Sequence, residues 1–169
     1  MMPGMARWED FTAQAPEFAA RVRAVLDRHK HKTMATLRRD GAPRISGAEV
    51  HFAGPDVFTG SMPGAVKGQD LRRDPRVAFH SASEDADEAD PGSWVGDAKF
   101  SGRAVLVTDP AGIAAFWTAY SGAAPAERDA SDLFRVEVDE VVLTSIDPPE
   151  TMVIESWHDG VGYRRRTRT

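Results

Sequence analysis

Three short runs rich in Thr, Val, Ile and Phe, "TMATLRR", "PRISGAEVHF" and "VFTGS", follow one another between residues 33 and 61, separated by Asp40-Gly41 and by Gly54-Pro55-Asp56. Both separators are strong tight-turn signals. The spacing therefore predicts three antiparallel strands joined by hairpins, at about 33–38, 43–52 and 57–61. A chain that begins its sheet this way has to build it from hairpins rather than from alternating strands and helices.

The rest of the sequence extends the pattern. Before the strands, "PEFAARVRAVLDRHKH" places Phe18, Val22, Val25, Leu26 and His29 on one stripe with arginines opposite, as an amphipathic helix does. A strand is expected at about 76–81, and "AKFSGRAVLVTD" alternates over the length of a long strand in which Gly102 marks a bulge or bend. In "TDPAGIAAFWTAY", Thr108 or Asp109 caps a helix with Pro110 at its first position. Three strand-like runs follow: "DLFRVEV", "EVVLTSI" and "TMVIESW". Six or seven hairpin-linked strands with two or three helices give a mostly β, or α+β, chain whose sheet closes fully or partly into a barrel.

At 169 residues the chain reads as a single domain, 1–169, with 1–15 and 162–169 as flexible ends. It has no cysteine, so it holds neither disulfide nor thiolate metal site, and the cytoplasm is the expected compartment. No window approaches the roughly 18 apolar residues of a membrane span, and no membrane partner is expected. A net charge of −5 speaks against nucleic acid, which is bound through clustered Lys and Arg. The basic tail "YRRRTRT" is the exception and reads as a solvated end; the acidic "SASEDADEADPGS" reads as a surface loop without the spacing of a calcium site. No metal site is expected. "GAPRISG" and "GSMPGAVKG" do not fit a dinucleotide-binding glycine fingerprint.

The stretch "GSMPGAVKGQDL" is the one that points to chemistry. Thr59 and Ser61 fall on one side of the third strand, Pro63-Gly64 turns the chain, and a helix opens beside Lys67. The first N–H groups of a helix lack intrahelical partners, so hydroxyl, amides and ammonium surround a place fit for a phosphate. The plainer alternative is that Ser61 caps the helix and Lys67 is solvated. Local sequence leaves both open.

"TMATLRRDGAPRISGAEVHF", "VFTGSMPGAVKGQDLRRDPRVAF" and "DAKFSGRAVLVTD", in this order, resemble the first motif blocks of the pyridoxamine 5'-phosphate oxidase-like split-barrel flavoproteins over Thr33 to Asp109. The resemblance implies an antiparallel split β-barrel homodimer that binds FMN in the cleft between subunits. It places Ser61 and Lys67 on the phosphate, with Thr59 and Gly60 beside them. Arg44, Ile45, Ser46, Gly47, Ala48, Glu49 and Val50 fall on the strand along the flavin ring, and Lys99 to Gly102 on the strand beyond it. Trp157 falls near a last-strand tryptophan that faces the partner's flavin. Members that oxidise pyridoxamine phosphate have a second arginine where this chain has Val66, and a C-terminal R-L-H-D-R-like segment that has no counterpart here. That activity is therefore not expected. "KGQDLRRDPR" and "DGAPRISGAEVHF" also resemble the branch that binds the deazaflavin F-420.

A flavin brings its own hydride chemistry, so no side chain is assigned a catalytic role. The histidines agree, since none is set with a carboxylate at triad or H-E-x-x-H spacing. The expected function is an FMN-dependent oxidoreductase acting on a small planar substrate, with F-420 as the rival cofactor. Two other classes remain: a non-catalytic flavin or haem carrier with His51 or His158 as axial ligand, and a dimeric scaffold that interacts through loop 83–92 or the tail.

Overall fold

A computed structural model describes residues 5–122, 131–148 and 151–168. Helices α1 (Trp8–Gln14) and α2 (Pro16–Asp27) precede strands β1 (His31–Leu37), β2 (Pro43–Ala53) and β3 (Asp56–Ser61). Helix α3 (Val66–Arg73) leads to β4 (Arg76–His80) and β5 (Asp97–Leu106). Helix α4 (Pro110–Ser121) and strands β6 (Asp132–Asp147), β7 (Thr151–His158) and β8 (Gly162–Arg168) follow. The three N-terminal hairpin strands stand within two residues of their expected bounds. The first turn works as its residues require: Gly41 takes a φ of 84° and the Asp40 carboxylate accepts the Ala42 N–H at 3.0 Å.

Neighbouring strands run antiparallel in the order β3-β2-β1-β4-β5-β6-β7-β8, and β3 pairs a second time with β6. That pairing, from Val57 opposite Val136 to Ser61 opposite Asp132, closes six strands into a barrel. Strands β7 and β8 hang on the far half of β6 as an extension. This is the split-barrel architecture expected, with helices on its outside and ends.

One strand, β6, serves both barrel and extension. Its register against β5 slips between Ser101 and Gly102, so that Asp139 faces no β5 residue while Val138 and Glu140 do. The bulge bends the strand out of the barrel. The runs 132–138 and 140–146, expected as separate strands, are therefore one strand; the polar pair Asp139-Glu140 looks like a break and is the bulge. Gly102 sits in the slip as anticipated, and a Cβ there would overlap the Glu137 carbonyl oxygen.

Alternating inward residues of the strands form the core, and the helices complete it. Trp8 lies 4.8 Å from Phe52 and 5.7 Å from Phe100, while Phe11 lies 5.2 Å from Trp157 (ring centroids). Helix α1 so closes the barrel end where β2 turns into β3, and α2 buries Phe18, Val22, Val25 and Leu26 as its stripe predicts. His29 lies beyond the helix and is exposed, its ring bonded to Glu84 of the acidic loop. The buried ammonium of Lys32 is satisfied by the His29 and Lys30 carbonyls.

The described parts of 1–15 and 162–169 make contacts with the rest of the fold. Arg7 grips the Asp56 carboxylate through two bonds of 2.8 and 2.6 Å, and Ala6 bridges to Val138. At the other end β8 pairs along β7, and the Tyr163 hydroxyl donates to the buried Glu155 at 2.6 Å, where Arg21 also binds. The first tie is not visible locally, because Asp56 is far from Arg7 in sequence; the second joins neighbouring strands of one hairpin.

Helix α3 is pinned by one carboxylate. Asp70, 2% exposed, accepts from Thr36 Oγ1 of β1 at 3.0 Å, Arg44 Nε of β2 at 2.6 Å and Arg73 of its own helix at 2.9 Å. Burial alone would raise its pKa, but the hydrogen bonds from Arg44, Arg73 and Thr36 outweigh that and hold it below the usual carboxylate value.

Two outcomes are expected from this architecture. Gly102→Ala should push β5 from β6 and lower the unfolding free energy by about 1–3 kcal/mol in denaturant titration. Asp70→Asn should cost about 3–5 kcal/mol at pH 7, since it leaves Arg44 without its charge partner. The Asp70 pKa is depressed in the folded state, so its contribution is complete above the unfolded value of about 3.9 and is lost as pH falls through the folded one. The gap between wild type and Asp70→Asn should accordingly narrow when the titration is repeated at pH 3.

Candidate functional site

On the outer face of β2 and β3, between α3 and α4, lies a cavity of about 1030 Å³. That is the scale of pockets that enclose a cofactor. Strand alternation decides what β2 offers it. Gly47, Glu49 and His51 point outward to the lining, while Val50 and Phe52 pack against the core.

One end of the cavity is where β3 stops. Gly60 and Ser61 line it, Gly64 turns the chain with a φ of 73°, and α3 begins after Ala65, which supplies no side-chain cap. The capping alternative for Ser61 is thus not what the fold adopts: its hydroxyl touches the Met62 carbonyl at 3.5 Å, a marginal bond. Nor is Lys67 merely solvated. Its ammonium spans to the Gly47 carbonyl of β2 at 2.7 Å and forms part of the cavity wall. Gly68 lets helix and strand approach closely, since a Cβ there would lie 2.6 Å from Ser61 Oγ. Arg72 and Asp132 also face this end and hold each other through bonds of 3.0 and 2.5 Å. Their charges cancel, and Lys67 supplies the net positive charge.

The other end is aromatic. Asp109 caps α4 by accepting from the Gly112 N–H at 2.6 Å, with Pro110 at the first position, and this fixes the helix against the barrel. Phe116 packs on Phe58 at 4.8 Å and covers a small second core with Ala53. Ile113, Trp117 and Tyr120 line the cavity, and the His51 ring stands edge-on to Tyr120 at 4.7 Å. Burial pushes the His51 imidazole below its usual range, against the pull of Glu49 and with the help of Lys30 and Lys32.

Of the residues singled out in the sequence, the fold brings Gly47, Ala48, Glu49, Gly60, Ser61 and Lys67 together around this cavity. Thr59 supports it from below, its hydroxyl donating to the Glu49 carbonyl at 2.9 Å. Arg44 belongs to the Asp70 clamp; Ile45 is exposed at 74%, and Ser46 and Val50 alternate away from the lining. Lys99 lies on β5 opposite His80 and Val142, outside the lining. Trp157 is a correction: it is wholly buried, packs on Phe11 and donates its indole N–H to Gln14 at 3.1 Å, so it is a core residue. His158 is on β7 beside Glu140, away from the cavity. Arg72, Asp132 and the α4 wall were not foreseen. The aromatic triplet Phe116, Trp117 and Tyr120 is visible as a one-sided helix pattern, but nothing local shows what that side faces.

Among the described residues, no group of three or more His, Asp or Glu is placed to hold a metal, and no helix is long and apolar enough to cross a membrane.

A family model of pyridoxamine 5'-phosphate oxidase matches residues 18–145. No curated protein sequence matches the chain. Among solved structures, PhzG from Burkholderia lata, in complex with tetrahydrophenazine-1-carboxylic acid, superimposes with a TM-score of 0.65 at 14% identity, over 96% of this chain and 93% of that one. A pyridoxamine 5'-phosphate oxidase-related, FMN-binding protein from Nostoc punctiforme gives 0.63 at 11% identity, over 92% and 96%. A haem-binding protein from Mycobacterium smegmatis gives 0.54 at 19% identity, over 88% of this chain and 56% of that one. At such identities the structural likeness establishes the shared fold.

Proposed function

The chain belongs to the pyridoxamine 5'-phosphate oxidase-like family, and from that premise we propose that it binds FMN in the cavity beside β2 and serves as an oxidoreductase for a small planar substrate. The observation that carries the reading is the cradle at the end of β3: Ser61, the uncapped start of α3 and the Lys67 ammonium converge on one cavity end, and Gly68, where a Cβ would collide with Ser61 Oγ, lets helix and strand meet there. A phosphate fits this donor set.

Bound there, FMN supplies the hydride chemistry. The chain's part is to hold and orient. Lys67 and Ser61 fix the phosphate, and the β2 backbone from Gly47 to Glu49 borders the space for the ring. The Arg72–Asp132 pair keeps the Asp132 carboxylate from repelling the anion. Phe116 and Trp117 limit water at the far end. In place of the second phosphate arginine of the vitamin B6 oxidases stands Val66, so affinity rests more heavily on Lys67.

A homodimer belongs to the same reading. Met62 lines the cavity with 73% exposure, and Ile45 and Val66, 74% and 52% exposed, flank the strand and helix that Lys67 joins. A second copy would cover this apolar rim. F-420 is the rival cofactor, served by the same cradle. Haem has one observation in its favour, a His51 ring that lines the cavity and is uncharged at neutral pH.

The purified, stripped protein is titrated in parallel with FMN and F-420, followed by size-exclusion chromatography. FMN should bind, to a dimer; binding of F-420 alone would reassign the cofactor, and a Soret band on haem addition without flavin binding would favour the carrier. Lys67→Ala should weaken FMN binding ten- to a hundredfold, the value of one charge-assisted contact at about 1.5–3 kcal/mol. Gly68→Ala should leave stability within about 1 kcal/mol, since helix propensity improves, yet weaken FMN by displacing Ser61 Oγ. Unchanged FMN affinity in both variants would remove the phosphate from this place.

A further inference from the structure

We propose that the end of the cavity walled by α4 takes an uncharged, planar aromatic ligand, packed against Trp117 and Tyr120 and accepting a hydrogen bond from His51. The proposal names the substrate class for the site described above and rests on FMN occupying the end beside Lys67.

The lining divides by chemistry. Its cations, Lys67 and Arg72, stand with Ser61 at the α3 end. Toward α4 the described lining has no Lys or Arg; Ile113, Trp117 and Tyr120 form an apolar wall, and Glu49 is the charged group of the adjoining strand. Glu49 is paired with Lys30 at 3.1 Å, which is not part of the lining. A phosphate or carboxylate placed here would meet the Glu49 carboxylate and aromatic rings, with no lysine or arginine of the described lining to receive it. An aromatic ring would lay a face on one of Trp117 and Tyr120 and meet the other edge-on, since their planes stand at 70°.

His51 supplies the polar handle. Its side chain is 18% exposed, and its nearest ionic neighbour, Glu49 Oε2, is 3.9 Å from Nε2, beyond hydrogen-bond reach. Tyr120 and Phe116 hold the ring edge-on at 4.7 and 6.1 Å. In its neutral form the imidazole carries one N–H to donate. The ring is half-buried, and among the described residues no acceptor lies within hydrogen-bond distance of it, so its N–H is available to a ligand carbonyl. His51 is thus fixed by packing and open to a ligand.

Menadione, a planar quinone with two carbonyl acceptors and no charge, is a direct probe. It alkylates thiols, and this chain has none, so its binding here is reversible. Equilibrium dialysis with the FMN-loaded protein should show saturable menadione binding. His51→Phe, which keeps a ring and removes the donor, should weaken it about tenfold; His51→Asn, which restores an N–H, should recover most of the loss. Trp117→Ala should weaken it several-fold. FMN affinity should stay within about threefold in both His51 variants. Pyridoxamine 5'-phosphate should bind no tighter than pyridoxamine. Unchanged menadione affinity in His51→Phe, or a clear preference for the phosphorylated compound, would overturn the proposal. Menadione binding that depends on His51 in a protein that takes up no FMN would retain the aromatic site and overturn the cofactor assignment instead.

Discussion

Thr36, Arg44 and Arg73 all hydrogen-bond the buried carboxylate of Asp70, and through it β1, β2 and α3 become one rigid unit. Two charge-assisted bonds to a group shielded from water are worth more than the same bonds at the surface, and their geometry is exacting. Arg73 also reaches the Leu37 carbonyl at the end of β1. Because α3 spans only eight residues, it has little intrinsic stability, and its orientation comes from this clamp and from Leu71 in the core. The placement of Lys67 over Gly47, and of Gly68 against Ser61, follows from how Asp70 holds the helix one turn further on.

The second constraint is the closure of the barrel through β6. By pairing with β3 over Asp132 to Val136 the strand covers the β3 edge of the sheet, and by bulging at Asp139 it carries the sheet onward to β7 and β8. The same first residues of β6 bring Asp132 beside Ser61. Barrel closure and the proposed phosphate cradle thus share one seam. Any loosening of that seam should be felt at Ser61 before it is felt in the hydrophobic core, where Val57, Phe134 and Val136 are fully enclosed.

What the sequence discloses follows the range of the interactions involved. The hairpins at Asp40-Gly41 and Gly54-Pro55, the α2 stripe, the Asp109-Pro110 start of α4 and the glycine at the bulge are all set by neighbours within a few residues, and they are legible. Ser61 and Lys67 are legible for the same reason, lying six residues apart around one turn. What is lost depends on distant partners. The N-terminal end looks loose because Arg7 finds Asp56 across the fold, and Glu155 is met from far along the chain by Arg21. Arg44 looks like a ligand residue until Asp70 claims it, and Trp157 cannot be told from a site tryptophan until Phe11 and Gln14 are seen to enclose it. Arg72 is hidden because its partner Asp132 lies 60 positions away.

The charge pattern ties these levels together. A chain with net charge −5 would bind an anion against its own average field, and its arginines near α3 are spent on internal carboxylates. Arg44 and Arg73 neutralise Asp70, and Arg72 neutralises Asp132. Each carboxylate that could repel a phosphate near α3 is so occupied, which leaves Lys67, whose other contact is a neutral carbonyl, as the charge a ligand meets. At the α4 end the neutralisation of Glu49 by Lys30 has the opposite consequence, because there no further cation remains in the lining. One cavity therefore offers an electrostatic end and an aromatic end, and a ligand that is anionic at one extremity and flat and uncharged at the other is held in a single orientation. That orientation is a property of where the salt bridges fall, not of the net charge.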